Sequence, residues 1–330
     1  MAPARVNAPP ASAVSPKPEL QVCGIVDPIR SAADAADIDH HIADATHEAY
    51  EHLKAALLGG SDVRARAMGL WLQRRDDFFA GSLAADTSLD QLVELAVTAR
   101  DPVVYGAAVG ACKTGPTDDT SAACQRLSLS EWTKIDPDNA LPWLATAAAA
   151  RANGDSWAES SAFARAAQTH KVEDSGESLL GVALGALPAD IRGFVRASLE
   201  IQLAGIAAGQ VQPLAEIRRF CSETALQQSQ IHDQCAAMAE LLVDHGGTLL
   251  NFSLGRAVGQ SVGWPAAKLD QLAREKDALL RLTALDGGQA WSCSAMARRD
   301  EFLTRRSQIG ELAALRELRD KSEQTDQPSR

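Results

Sequence analysis

Aromatic side chains are scarce in this chain, 5% of 330 residues with only two tyrosines, which excludes a core built from interlocking rings. Positive charge is short as well: 32 Lys and Arg stand against 43 Asp and Glu, a formal charge of −11. The basic pairs Arg74-Arg75, Arg218-Arg219, Arg298-Arg299 and Arg305-Arg306 each have acids nearby, such as Asp76, Glu216, Asp300 and Glu301. No patch is left that would attract a phosphate backbone, so nucleic acid is not expected as a partner. No apolar run approaches the roughly 18 residues that a membrane-crossing helix needs, so no transmembrane segment is expected. Nor is there a C-x-x-C pair, a G-x-S-x-G elbow, a phosphate loop or a G-x-G-x-x-G turn. No stretch alternates polar and apolar residues as a half-buried strand does.

What the chain does have is alanine, roughly one residue in five or six, the strongest intrinsic helix former. Helical periodicity runs from about Ala32 onward and predicts an all-α fold without sheet. The first helix is expected from Asp34 to Leu58, with Ile38, Ile42, Ala45, Ala49 and Leu53 on one face and Gly59-Gly60 as a left-handed cap. Ser61 is the expected cap of a helix to Phe79, Ser88 and Gln91 form a capping box for one to Arg100, and Asp101-Pro102 starts the next. Further helices are expected at 120–134, 139–152, 155–169, 175–187, 189–208, 213–226, 229–245, 248–262, 265–283, 292–304 and 307–321. Loops of two to six residues between such helices make antiparallel hairpins, and stacked hairpins form an α-solenoid. The Ala/Pro/Ser-rich residues 1–31 read as a disordered leader, 32–322 as one helical-repeat domain and 323–330 as a disordered tail.

One segment carries a family resemblance. Asp136-Pro137-Asp138-Asn139-Ala140 leads into Trp143, Ala147, Gly154-Asp155, Phe163 and Ala166, and this spacing resembles a tetratricopeptide repeat. The resemblance covers about residues 137–170 and implies that Trp143 and Phe163 interlock two helices, that Ala147 and Ala166 let them approach, and that Gly154-Asp155 makes their turn. Three positions depart from the pattern: Ala150 for Tyr, Glu159 for a small residue, and Lys171 for the closing Pro. The rest of the chain resembles Ala-rich helical proteins of GC-rich proteobacteria, which implies no activity.

The six cysteines fall partly in local pairs. Cys112 ends one expected helix and Cys124 begins the next, while Cys221 and Cys235 flank an expected turn near Gln227 to Ser229. Buried free thiols are the alternative, since cysteine packs as a small apolar residue. Local pairing in an even total favours disulfides Cys112–Cys124 and Cys221–Cys235, with Cys23–Cys293 as a third, and hence an oxidising compartment. A periplasmic or exported protein is expected on that ground, with the cytoplasm as the alternative.

Four of seven histidines crowd into the first helix. His47-Glu48 followed by His52 misses the zincin spacing, because residues five apart lie about 140° around a helix. The stripe His40, Asp44, His47, Glu51 does share a face and is the candidate metal site, but it lies opposite the apolar stripe of Ile38, Ile42 and Ala49 and reads first as a solvated polar face. Asp39-His40-His41 resembles a phosphoesterase triplet but lacks the sheet that such a site stands on. Asp76-Asp77 lacks the third Asp of a helical terpenoid synthase. No catalytic residue and no cofactor are expected. The leading functional expectation is a non-catalytic scaffold that binds a protein or peptide, such as an envelope-localised assembly or immunity factor. The alternatives are a metal-dependent hydrolase using the His-rich helix, or an exported bacterial effector. Trp157, just after the Gly154-Asp155 turn, is the residue expected to contact a partner.

Overall fold

Fifteen α-helices and two 3-10 turns account for most of the residues that the computed structural model describes, namely 32–79, 87–113, 121–188, 191, 193–208, 214–283 and 292–325. In chain order the helices are α1 (Ala32–Gly59), α2 (Val63–Phe79), α3 (Thr87–Ala99), α4 (Pro102–Lys113), α5 (Leu129–Ile135), α6 (Ala140–Ala152), α7 (Ser156–Ala166) and α8 (Ser175–Gly185). They continue with α9 (Gly193–Ala208), α10 (Ala215–Phe220), α11 (Ser229–His245), α12 (Leu249–Ser261), α13 (Ala266–Thr283), α14 (Cys293–Ile309) and α15 (Glu311–Thr325). The 3-10 turns span Cys124–Arg126 and Ala225–Gln227. Among the described residues there is no strand; β-type pairing is confined to the isolated bridges Asn139–Lys171 and Val172–Gly246. The fold is all-α. The leader lies outside the described residues, and α15 runs on to Thr325, into the segment expected as tail.

Side-chain oxygens set several helix starts by taking the backbone N–H groups that a first turn leaves free. Asp101 caps α4 at Val103 and Val104, Asn139 caps α6, Asp155 caps α7, Thr248 caps α12 and Ser292 caps α14. At α2 the cap is the Asp62 carboxylate, bonded to the N–H of Arg64 and Ala65, not Ser61. The end of α1 also differs from expectation. Neither Gly59 nor Gly60 takes a positive φ, and α3 ends instead with Arg100 in the left-handed region, φ 53°.

Three expected helices break where the sequence pattern runs on. Residues 120–134 divide because Ser128 is extended, its N–H donating to the Tyr105 hydroxyl (2.9 Å) and its carbonyl accepting from it (3.2 Å). Residues 213–226 divide at Cys221, which leaves helical geometry beside its disulfide. The last pair of helices meets at Gly310, not between Thr304 and Ser307; its φ of 84° and ψ of 160° suit glycine far better than any L side chain. That break sends the Glu311 carboxylate to the Leu249 N–H (2.9 Å) at the start of α12, and the Leu312 N–H to the Gly247 carbonyl (3.1 Å).

Two disulfides are as the local spacing predicts. Cys112–Cys124 joins the end of α4 to the first 3-10 turn, with Cα atoms 5.8 Å apart. Cys221–Cys235 joins the end of α10 to α11 at 5.7 Å. The Cys23–Cys293 pair lies outside the described residues because Cys23 does; no described cysteine is a free thiol.

One core cluster extends from Ala49 to Leu303, and a smaller one, Val243, Phe252, Leu272, Leu279, Leu312 and Leu315, lies among α11, α12, α13 and α15. Sequential helices pack as pairs: α1 on α2, α6 on α7, α11 on α12, α14 on α15. A one-dimensional stack needs only such neighbours. Here α8 additionally meets α2, α4 and α14, and α9 meets α1 and α14, so helices distant in the chain close on one another.

Candidate functional site

The α6–α7 hairpin is held at its base and along its length. At its base Asn139, almost fully buried, uses every hydrogen-bonding position of its amide. The nitrogen donates to Asp136 Oδ2 (2.8 Å) and the Glu173 carbonyl (2.9 Å), and the oxygen accepts from the N–H of Leu141 (3.3 Å) and Glu173 (3.1 Å). Lys171, where the tetratricopeptide pattern closes with Pro, donates its backbone N–H to the Asp138 carbonyl (3.2 Å), a bond that proline cannot make. Its carbonyl accepts from the Ala140 N–H (3.0 Å), and its ammonium lies 3.2 Å from Asp136.

Along its length the hairpin is tied to α10. Arg151 of α6 forks onto Glu216 (3.1 and 2.7 Å), Arg219 donates to the same carboxylate (3.0 and 2.8 Å), and Arg219 also pairs with Glu159 of α7. Burial alone would raise the Glu216 carboxyl, but the two guanidinium groups outweigh it and hold it below its ordinary value. Glu159, large where the resemblance asks for a small residue, has this ion pair as its reason.

The interlocking aromatics differ from what the resemblance implies. Phe163 is fully buried, but its ring stacks on Phe220 of α10, centroids 3.9 Å apart. Trp143 is only half-buried and spends its indole N–H on the Pro137 carbonyl (2.9 Å). Ala147 and Ala166 are buried in the interface, and Gly154 takes φ 72° at the tip. Immediately beyond it Trp157 is 78% exposed, in the first turn of α7. Its backbone is fixed: Asp155 accepts the Ala158 N–H (2.9 Å), and the Asp155 N–H closes the turn onto the Ala150 carbonyl (2.9 Å). A large indole is therefore presented to solvent on a rigid tip.

The His-rich stripe lies on α1. His40, Asp44 and His47 face solvent, whereas Glu51 accepts from Lys54 (2.8 Å), itself bound to Asp76 (2.6 Å). Tyr50 donates its hydroxyl to the other Asp76 oxygen (3.0 Å), and burial, then the Asp76 charge, push its phenol well above the ordinary value. Asp76 is thus committed to packing α2 against α1. Among the described residues no three His, Cys, Asp or Glu side chains converge as a metal ion requires. His47 does border a cleft of about 420 Å³ between α1 and α9, shared with Ile42, Thr46, Tyr50, Phe194 and Ser198.

A further cluster was not legible in the sequence. On α9, Arg196 directs Nε and Nη2 to Asp300 of α14 (2.8 and 2.7 Å), while Nε also lies 2.9 Å from Glu200. The last contact has ion-pair distance without hydrogen-bond alignment. Glu200 is 1% exposed; burial, and then the Asp300 carboxylate hydrogen-bonded to it, push its carboxyl up to about 8. Asp300 is depressed: burial works against it, but the bonds from Glu200 and Arg196 prevail. The signal in the sequence is a lone Glu four residues after Arg in an otherwise uncharged helix, with its partner 104 residues from that Arg.

These features define an all-helical protein with a rigid aromatic tip and no described helix long and apolar enough to cross a membrane. Compared with family models, with curated proteins and with solved structures, the chain finds no match.

Proposed function

We propose that the protein is a non-catalytic helical scaffold that binds a protein or peptide, with Trp157 as an anchor. The observation that carries this reading is the exposed indole on a backbone fixed by Asp155 and Gly154. A tryptophan already ordered in the free protein loses little entropy on docking and offers a large apolar face, the usual profile of an interface hot spot. The tetratricopeptide-like reading of residues 137–170 supports the same role, since such hairpins present surfaces to peptides. The two disulfides favour a periplasmic or exported setting, in which an assembly or immunity factor, or an effector, would act. The hydrolase alternative at His40, Asp44, His47 and Glu51 draws no support from a stripe that faces solvent at one end and is bound to Lys54 at the other.

A photo-crosslinking residue at position 157, expressed in the native host, is expected to trap one predominant protein. With that partner purified, Trp157→Ala should weaken affinity at least tenfold, while His40→Ala on the remote stripe leaves it unchanged. Unaltered affinity in Trp157→Ala would remove the anchor and with it this reading.

A further inference from the structure

Helix α14 is held to α9 by one shared guanidinium and two carboxyl groups. Arg196 gives both of its directed N–H groups to Asp300 Oδ1, leaving Glu200 an ion-pair contact without a well-aligned bond. Glu200 is sealed from water, and an ionised carboxylate there would lie beside a second one with only the shared Arg196 guanidinium to offset both charges. We propose that this junction is a proton-dependent latch, in which the protonated Glu200 carboxyl donates to Asp300 and clasps α14 onto α9, and its ionisation releases α14.

Among the described residues, no charged group other than Arg196 and Asp300 acts on Glu200. On α8, the third helix of this junction, the only ionisable side chain is Glu177, which is already engaged by Arg306 (2.8 Å). On α1, Glu51 and Lys54 pair with each other, and His47 borders the cleft beside Ser198, on the other side of α9. The remaining described charged groups of α1, His40, His41, Asp44, Glu48 and His52, are exposed. Arg298, Arg299 and Glu301 flank Asp300 on α14 itself. Beneath the latch lie Leu199 and Leu203 of α9 and Leu303 of α14, all buried, so release of α14 would bare apolar surface.

The direction follows from linkage. An opened Glu200 returns to its ordinary carboxyl value, so opening loses one proton as long as the pH lies between that value and about 8. The opening constant of α14 should therefore rise up to tenfold per pH unit from about pH 5 to about pH 8 and level off above it.

Hydrogen exchange of the α14 backbone amides, corrected for the intrinsic pH dependence of exchange, reads this directly, with α2 and α3 amides as the internal reference. In the full chain, α14 protection is expected to fall with that slope while the reference amides keep theirs. Glu200→Gln keeps the donor to Asp300 and should abolish the slope; Asp300→Asn leaves Arg196 to Glu200 alone and should flatten it. An unsloped α14 in the unaltered protein, an unchanged slope in Glu200→Gln, or equal loss in the reference amides would overturn the latch. An infrared band of a protonated carboxyl at pH 7, lost above pH 9, gives an independent reading without any variant, and its absence would overturn the proposal equally.

Discussion

At the scale of single residues, burial separates aromatic side chains that sequence spacing treats alike. Phe163 and Trp143 occupy the two interlocking positions of the tetratricopeptide-like segment, yet the first is sealed against Phe220 and the second is half in solvent. Trp157, three residues after Gly154, is 78% exposed. Removing a sealed aromatic ring costs about 3 to 5 kcal/mol, because it forfeits transfer energy and leaves a cavity, while an exposed ring contributes within about 0.5 kcal/mol. Thermal and denaturant melts should therefore place Phe163→Ala far below the unaltered protein, Trp143→Ala between, and Trp157→Ala level with it. A loss in Trp157→Ala comparable to that of Phe163→Ala would make Trp157 a structural residue and leave no exposed anchor at this tip.

Among the elements, most of the helices were legible in the sequence because their starts are local chemistry. Asp101, Asn139, Asp155, Thr248 and Ser292 stand directly before the apolar periodicity and cap the helices that follow. The break at Ser128 was not legible, because its cause lies elsewhere in the chain: Tyr105 draws Ser128 out of helix from 23 residues away; the contact of Glu311 with Leu249, 62 residues back, was hidden for the same reason. The same distinction explains why two disulfide pairs at hairpin spacing could be read, whereas the Arg196, Glu200 and Asp300 cluster could not. Asn139 stands at the boundary of the two regimes, since its cap onto Leu141 is local and its clasp on Glu173 spans 34 residues. Asn139→Ala is expected to cost about 2 to 4 kcal/mol, as buried Asp136 and the Glu173 backbone lose their partner. Asn139→Asp should cost more, since it keeps the acceptor but sets a second carboxylate against Asp136. Chemical denaturation of both variants checks this; an Asp variant more stable than the Ala variant at pH 7 would show that the amide donor is not what holds residues 171–173 to α6.

Across the whole molecule the buried carboxyl groups pull stability in two directions with pH. Glu216 and Asp300 are held below their ordinary values, so they add stability as pH rises through the acid range. Asp174, the buried cap of α8, goes the other way: burial lifts it from 3.8 to about 6, Glu177 adds to this, and the Gly176 N–H and Arg306 oppose it. The folded state then binds that proton more tightly than the unfolded chain does. Its contribution is complete below pH 3.8 and is lost as pH rises to about 6, a change of about 3 kcal/mol at most. Glu200, raised from 4.5 to about 8, carries the decline further. Greatest stability is therefore expected near pH 4, where the gains from Glu216 and Asp300 give way to the losses from Asp174 and Glu200, with a lower melting temperature at pH 7. Asp174→Asn retains an oxygen that can accept the Gly176 N–H and has no charge to desolvate, so it should melt with the unaltered protein at pH 4 and several degrees above it at pH 7. Melting curves of the two proteins at pH 4, 5.5 and 7 decide the matter. A gap between them that stays constant across that range would mean that Asp174 does not titrate in the fold, and the decline above pH 4 would then have to come from Glu200 alone.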